Sequence, residues 1–182
     1  FDNWMLKGWK LEPNVPSVSY MAAVPWLAEI LVNEENCKNL LAAAQKSGIA
    51  YGEWNTDIYR IKESCGKNRV AKQVSKLDGN GFFEHSLRDK NIYPPQQFNV
   101  EPMLTALKNL KNSLGQPAGA PTPFYALLLM DGDSLGSHMS DSEKQPKISE
   151  ALDKFTTAAQ EVVYKNNGFL VYAGGDDVFA IL

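Results

Sequence analysis

Near the C-terminus the chain runs Phe169-Leu170-Val171-Tyr172-Ala173-Gly174-Gly175-Asp176-Asp177-Val178-Phe179-Ala180-Ile181-Leu182, two apolar runs joined by Gly-Gly-Asp-Asp. No other stretch restricts the fold as tightly. Short apolar runs bounded by turn residues read as buried strands, and a four-residue connection that opens on paired glycines reads as a hairpin turn. The turn then carries two adjacent carboxylates at the tip of a hydrophobic hairpin. Desolvating a carboxylate is costly unless a cation compensates, so this placement invites a divalent metal. Gly and Asp also suit any tight solvated turn. A second acidic strand end is needed to separate the two readings.

That second end is present. Phe124-Tyr125-Ala126-Leu127-Leu128-Leu129-Met130 is a continuous apolar run between a proline and Asp131-Gly132, and it reads as a central strand. A polar loop follows. Then Ile148, Ala151, Leu152, Phe155, Ala158, Ala159, Val162 and Val163 recur at three- and four-residue steps, with Pro146 near the start and Gly168 after the end. The order strand, helix, strand, turn, strand is the first part of a ferredoxin-like βαββαβ unit. In that unit the first and third strands are neighbours. Asp131 and Asp133, two residues apart at the end of the first strand, would then meet Asp176 and Asp177 at the hairpin tip.

Carboxylates gathered so closely raise one another's pKa unless cations sit among them, and oxygen donors of this kind select magnesium, manganese or calcium. Ser134, Leu135 and Gly136 follow directly, offering backbone amides to a phosphate. The parts together suit metal-bridged phosphoryl chemistry. Two ions about 4 Å apart would activate a ribose hydroxyl and stabilise a leaving pyrophosphate. Asp131 and one of the paired aspartates would be direct ligands, and Gly174 and Gly175, lacking side chains, would let the backbone approach a nucleotide. Two rival motifs fit less well. Asp131-x-Asp133-x-x-Gly136 opens like an EF-hand loop, but its fifth position is Leu135, its twelfth is Ser142, and a strand precedes it. A serine nucleophile at Ser134 lacks support, since His138 is the only imidazole near it in the sequence. His85, beside Phe83, reads as structural.

The chain has 182 residues and is 44% hydrophobic, enough for a real core in one domain or two small ones. Gly115 to Pro123 contains three prolines and two glycines and reads as a linker. The expected organisation is a helical domain over 1–114, the linker over 115–123 and an α/β part over 124–182. In the helical part, Asn33 caps a helix that Gly48 ends, and Pro102 opens another that Gly115 closes. A further helix is expected from about Pro25. Residues 51–100 read as short helices and loops, and their Lys62, Lys67, Arg69, Lys72 and Lys76 read as a solvated face, with phosphate contact as the alternative.

A net charge of -3 argues against wholesale wrapping of nucleic acid. Cys37 and Cys65 are the only cysteines and lack zinc-site spacing, which fits a reducing cytoplasm. No apolar run is long enough to span a bilayer, so no membrane contact is expected. The chain starts at Phe1 and stops inside an apolar run, which reads as a piece of a longer protein.

With these residues in view, Met130-Asp131-Gly132-Asp133-Ser134-Leu135-Gly136, the following helix and Tyr172-Ala173-Gly174-Gly175-Asp176-Asp177-Val178 resemble the polymerase-palm domain of the large subunit of type III, Cmr-type, CRISPR effector complexes. Pro16 to Trp26 also resembles the helical region before that palm. Diguanylate cyclases carry a related Gly-Gly-(Asp/Glu)-Glu-Phe turn, but Asp177 and Val178 stand where Glu-Phe would. The resemblance implies a cytoplasmic, RNA-guided antiviral complex with other Cmr-type subunits, CRISPR RNA and target RNA as partners. It implies a nucleotidyltransferase that makes cyclic oligoadenylates from ATP with Mg2+ or Mn2+. It assigns metal binding and catalysis to Asp131, Asp176 and Asp177, and ATP contact to Asp133, Ser134, Gly136, Gly174 and Gly175. Neither histidine is followed by aspartate, so no HD nuclease site is visible. Only the first part of the palm is covered, so this piece alone is expected to be inactive. A scaffold subunit with a silent palm and a signalling nucleotide cyclase are the alternative functions.

Overall fold

The computed structural model describes residues 16–51, 58–115, 119–133 and 135–182. The chain forms two compact units, Phe1–Phe124 and Tyr125–Leu182.

The first unit is helical. Helix α1 (Val18–Leu31) is apolar around most of its circumference, and ten of its fourteen residues are buried, which makes it the centre of the unit. The expected start near Pro25 is corrected to Val18. Ser17 caps the helix, its hydroxyl accepting from the Tyr20 N–H at 3.1 Å, while Pro25 lies inside the helix. Pro25 itself is exposed.

Helix α2 (Glu34–Ser47) has the Asn33 cap and a left-handed Gly48 at its end, with φ of 74°. Short helices α3 (Tyr59–Cys65) and α4 (Arg69–Val74), a 3-10 turn (Gly79–Phe82) and α5 (Glu84–Arg88) follow. Polar ties seat the 3-10 turn against α1. The Tyr20 hydroxyl donates to the Ser75 carbonyl at 2.6 Å, the Ser19 hydroxyl bonds Asn80 at 2.8 Å, and the Trp26 and Phe82 rings lie 5.6 Å apart. The Tyr93 hydroxyl donates to Asp78 at 2.9 Å, and burial followed by the Asp78 charge pushes its pKa far up.

Helix α6 (Glu101–Leu114) has Pro102 in its first turn but no capping side chain of its own. The missing acceptor comes from α2, where the buried Ser47 hydroxyl accepts from the Met103 N–H at 3.2 Å.

In the second unit, strand β1 (Leu127–Met130) leads to a one-turn helix α7 (Leu135–Met139) and then to α8 (Gln145–Lys165), β2 (Phe169–Gly174) and β3 (Asp177–Ile181). The three strands form one antiparallel sheet in the order β1-β3-β2. Thus β1 and β2 run the same way with β3 between them, and α8 packs on β2 and β3. Val163, Val178, Ala180 and Ile181 are its buried apolar residues.

Three expectations are corrected here. The apolar run at 124–130 is not a central strand in this sheet: β1 lies at an edge, and Phe124 and Leu129 are 79% and 72% exposed. The apolar stripe of α8 is only half-covered, with Ile148, Leu152, Phe155 and Ala159 intermediate and Val162 exposed. The region between β1 and α8, expected to be a polar loop, contains α7.

Removing the α2 hydroxyl that caps α6 leaves a buried N–H without a partner. Ser47→Ala is expected to lower stability by about 1 to 2 kcal/mol, read as a lower urea midpoint with an unchanged slope.

Candidate metal centre

The register of β1 against β3 builds the site. Leu127, Leu128, Leu129 and Met130 pair with Ile181, Ala180, Phe179 and Val178. Beyond that ladder, Ala126 and Leu182 exchange both backbone hydrogen bonds at 2.9 Å each. Such doubly bonded pairs alternate along an antiparallel ladder with narrow pairs that share no hydrogen bond and bring their side chains closest. Met130 and Val178 form the last pair, and Asp131 directly follows Met130 while Asp177 directly precedes Val178, so both aspartates emerge at this end of the ladder.

The hairpin supplies the other side. Gly174 and Asp177 pair as its last rung, so the connection is the two residues Gly175 and Asp176, not the expected four. Gly175 has φ of 63°, the left-handed geometry that the first position of a two-residue hairpin turn can require. At Gly174 the reason for glycine is different, because a side chain there would run into the Tyr172 phenol, whose hydroxyl donates to the Gly174 carbonyl at 3.4 Å.

As a result, one carboxylate oxygen from each of Asp131, Asp176 and Asp177 lies within 4.8 Å of the other two. Asp131 and Asp177 are exposed and Asp176 is half-buried. The Asp177 carboxyl is held above the usual range by desolvation at the crowded turn, then by the charges of Asp131 and Asp176, and then by a hydrogen bond with Asp131 that requires a proton. Three convergent oxygens of a net acidic set suit a hard divalent cation, which would remove the repulsion that raises this pKa.

The other expected residues are placed differently. Asp133 is exposed in the turn after Asp131 and does not join the three-carboxylate cluster, because β1 stops at Met130. Gly136 is exposed on α7. Ser134 lies outside the described residues. His85 is exposed, its ring 5.4 Å from Phe83, and His138 is exposed on α7. The basic residues Lys62, Lys67, Arg69, Lys72 and Lys76 are all exposed on α3, α4 and their flanks, and Lys62, Lys72 and Lys76 line a cavity of about 440 Å³. Gly132, which the sequence reading passed over, is packed directly against Asp176.

With this geometry in view, residues 124–182 match the family model described as Cas10/Cmr2, second palm domain. The second unit is therefore a palm-type domain with a nucleotidyltransferase-like fold. The chain is 31% identical over 162 residues to the CRISPR system Cmr subunit Cmr2 of Pyrococcus furiosus, an alignment that takes in 66% of this chain and 18% of that protein. It spans less than a fifth of the length of this relative. No solved structure matches. Both matches support a Cas10/Cmr2-type subunit of a type III-B CRISPR system. Among the described residues, no helix is long and apolar enough to cross a membrane.

The raised pKa of Asp177 has a definite consequence for stability. Between the ordinary carboxylate value near 3.8 and the higher folded value, the folded state holds the extra proton, so stability falls as pH rises through that window. Without divalent ions, the wild-type melting temperature is expected to drop across this window by more than that of Asp177→Asn. Equal drops would contradict the coupling.

Proposed function

We propose that this chain is the palm-bearing part of an RNA-guided antiviral effector subunit, and that in the complete protein the palm makes cyclic oligoadenylates from ATP with Mg2+ or Mn2+. The observation that carries this reading is the convergence of Asp131, Asp176 and Asp177 from the ends of two strands that are far apart in sequence. The strand order β1-β3-β2 with a helical crossover is what the first elements of a ferredoxin-like palm would give.

In this reading, Asp131, Asp176 and Asp177 hold the divalent ion. A bound ion would supply positive charge to the α-phosphate of ATP and to the leaving pyrophosphate. The chain's own contribution is positional. The β1/β3 register would bring Asp131 and Asp177 to one end of the ladder, and the Gly175 turn would hold Asp176 beside them. Asp133, Ser134 and Gly136 would line the approach of the nucleotide. The exposed lysines of α3 and α4 offer contacts to an RNA phosphate backbone, which takes cations of either type. The partners in this reading are the other Cmr-type subunits, CRISPR RNA and target RNA, and the setting is the cytoplasm.

Incubating the complete protein in its assembled complex with target RNA, Mg2+ and labelled ATP or GTP tests this function. Oligoadenylates are the expected product. Cyclic di-GMP, or no product at all, would overturn it. The double variant Asp176→Ala, Asp177→Ala is expected to lose synthesis by at least about a thousandfold, with assembly and RNA binding retained. Undiminished product from that variant would sink the assignment of the site.

A further inference from the structure

Between the two acidic strand ends sits a residue with no chemistry of its own. Gly132 follows Asp131 just beyond the end of β1 and lies against Asp176 of the hairpin turn. A Cβ at Gly132 would fall on the Asp176 side chain, 2.7 Å from its Oδ2 and 2.9 Å from its Cγ. Contacts that short are not found in folded proteins, so one side would have to move. The obstacle is the root of the carboxylate as well as its flexible end, because the Asp176 Cβ also lies in the way.

Backbone geometry does not account for glycine here. Among the described residues, the glycines with left-handed φ are Gly48, Gly66, Gly115 and Gly175, and Gly132 is not one of them. Other residues could adopt its backbone conformation, so the constraint is one of space. By contrast, Gly136, a few residues further on, has nothing near its missing Cβ.

We propose that Gly132 is a positioning residue for the divalent-metal centre: its missing side chain is the space that the Asp176 carboxylate occupies when it meets Asp131 and Asp177. This rests on reading the three aspartates as a metal site. An alanine at 132 would push Asp176 away from the other two carboxylates while leaving all three acids in the sequence. The site would keep its charge and lose its geometry.

The test uses the full-length protein without nucleotide and follows Mn2+ binding by the electron paramagnetic resonance signal of the free ion. Gly132→Ala is expected to weaken Mn2+ binding by about tenfold or more, the range seen when a residue supporting a metal ligand is changed. Asp176→Ala is the reference. Loss of binding in Asp176→Ala with wild-type affinity in Gly132→Ala would overturn the role of Gly132 and leave the metal site standing. Wild-type affinity in Asp176→Ala would overturn the metal site itself, and the role of Gly132 with it.

A melting-temperature cycle tests the steric contact independently of metal. The loss caused by Gly132→Ala is expected to disappear largely when Asp176→Gly removes the opposing side chain. An equal loss in both backgrounds would overturn the proposal. If Gly132→Ala alone does not fold, recovery of folding by Asp176→Gly supports the contact, and failure to recover overturns it.

Discussion

The pairing of β1 with β3 is the constraint on which the site depends. Asp131 and Asp177 are 46 residues apart in sequence, and one ladder running from Ala126 and Leu182 to Met130 and Val178 ends beside both of them, with their carboxylate oxygens within 4.8 Å. A slip of one residue would turn every side chain of β1 to the other face and move Asp131 off Asp177. Buried Val178 and Ala180, two residues apart on one face of β3, resist such a slip, since their burial depends on which face the strand presents. The packing of the sheet therefore sets the geometry of the acids.

That geometry is unfavourable by itself. Like charges directly across a strand pair repel, and here a third carboxylate joins them from the hairpin turn. The raised pKa of Asp177 is the local sign of the conflict. A fold that holds three carboxylates together without compensation carries a cost, and in the proposed reading a divalent cation would offset it. The glycines around the turn have separate tasks in this arrangement. Gly175 supplies the left-handed turn, Gly174 makes room for the Tyr172 ring, and Gly132 makes room for Asp176.

Much of the fold was legible because its signals are local. Asn33 and Gly48 bracket α2, and Pro102 and Gly115 bracket α6, in agreement with their capping chemistry. The α8 helix and the β2-β3 hairpin were marked by the spacing of apolar residues and by the paired glycines. What could not be read depended on neighbours distant in sequence. Pro25 resembled a helix start, but the Ser17 cap and the burial of residues 20–24 carry α1 through it. The apolar content of β1 suggested a central strand, yet apolar character does not say which edge is paired. The Ser47 cap of α6 joins positions 56 residues apart and leaves no local pattern.

The candidate site divides in the same way. Asp131, Asp176 and Asp177 stood out as carboxylates at strand ends, and strand order alone suggested their meeting. The separation of Asp133 from the cluster follows from where β1 stops, and the role proposed for Gly132 rests on its close approach to Asp176, so neither was visible in residue types. The most direct test of the site is a crystal of the complete protein soaked in Mn2+ and recorded at a wavelength where manganese scatters anomalously. The account predicts an anomalous peak within coordinating distance of Asp131 and of at least one of Asp176 and Asp177. A peak bound by the hairpin alone, or no peak at saturating Mn2+, would contradict it.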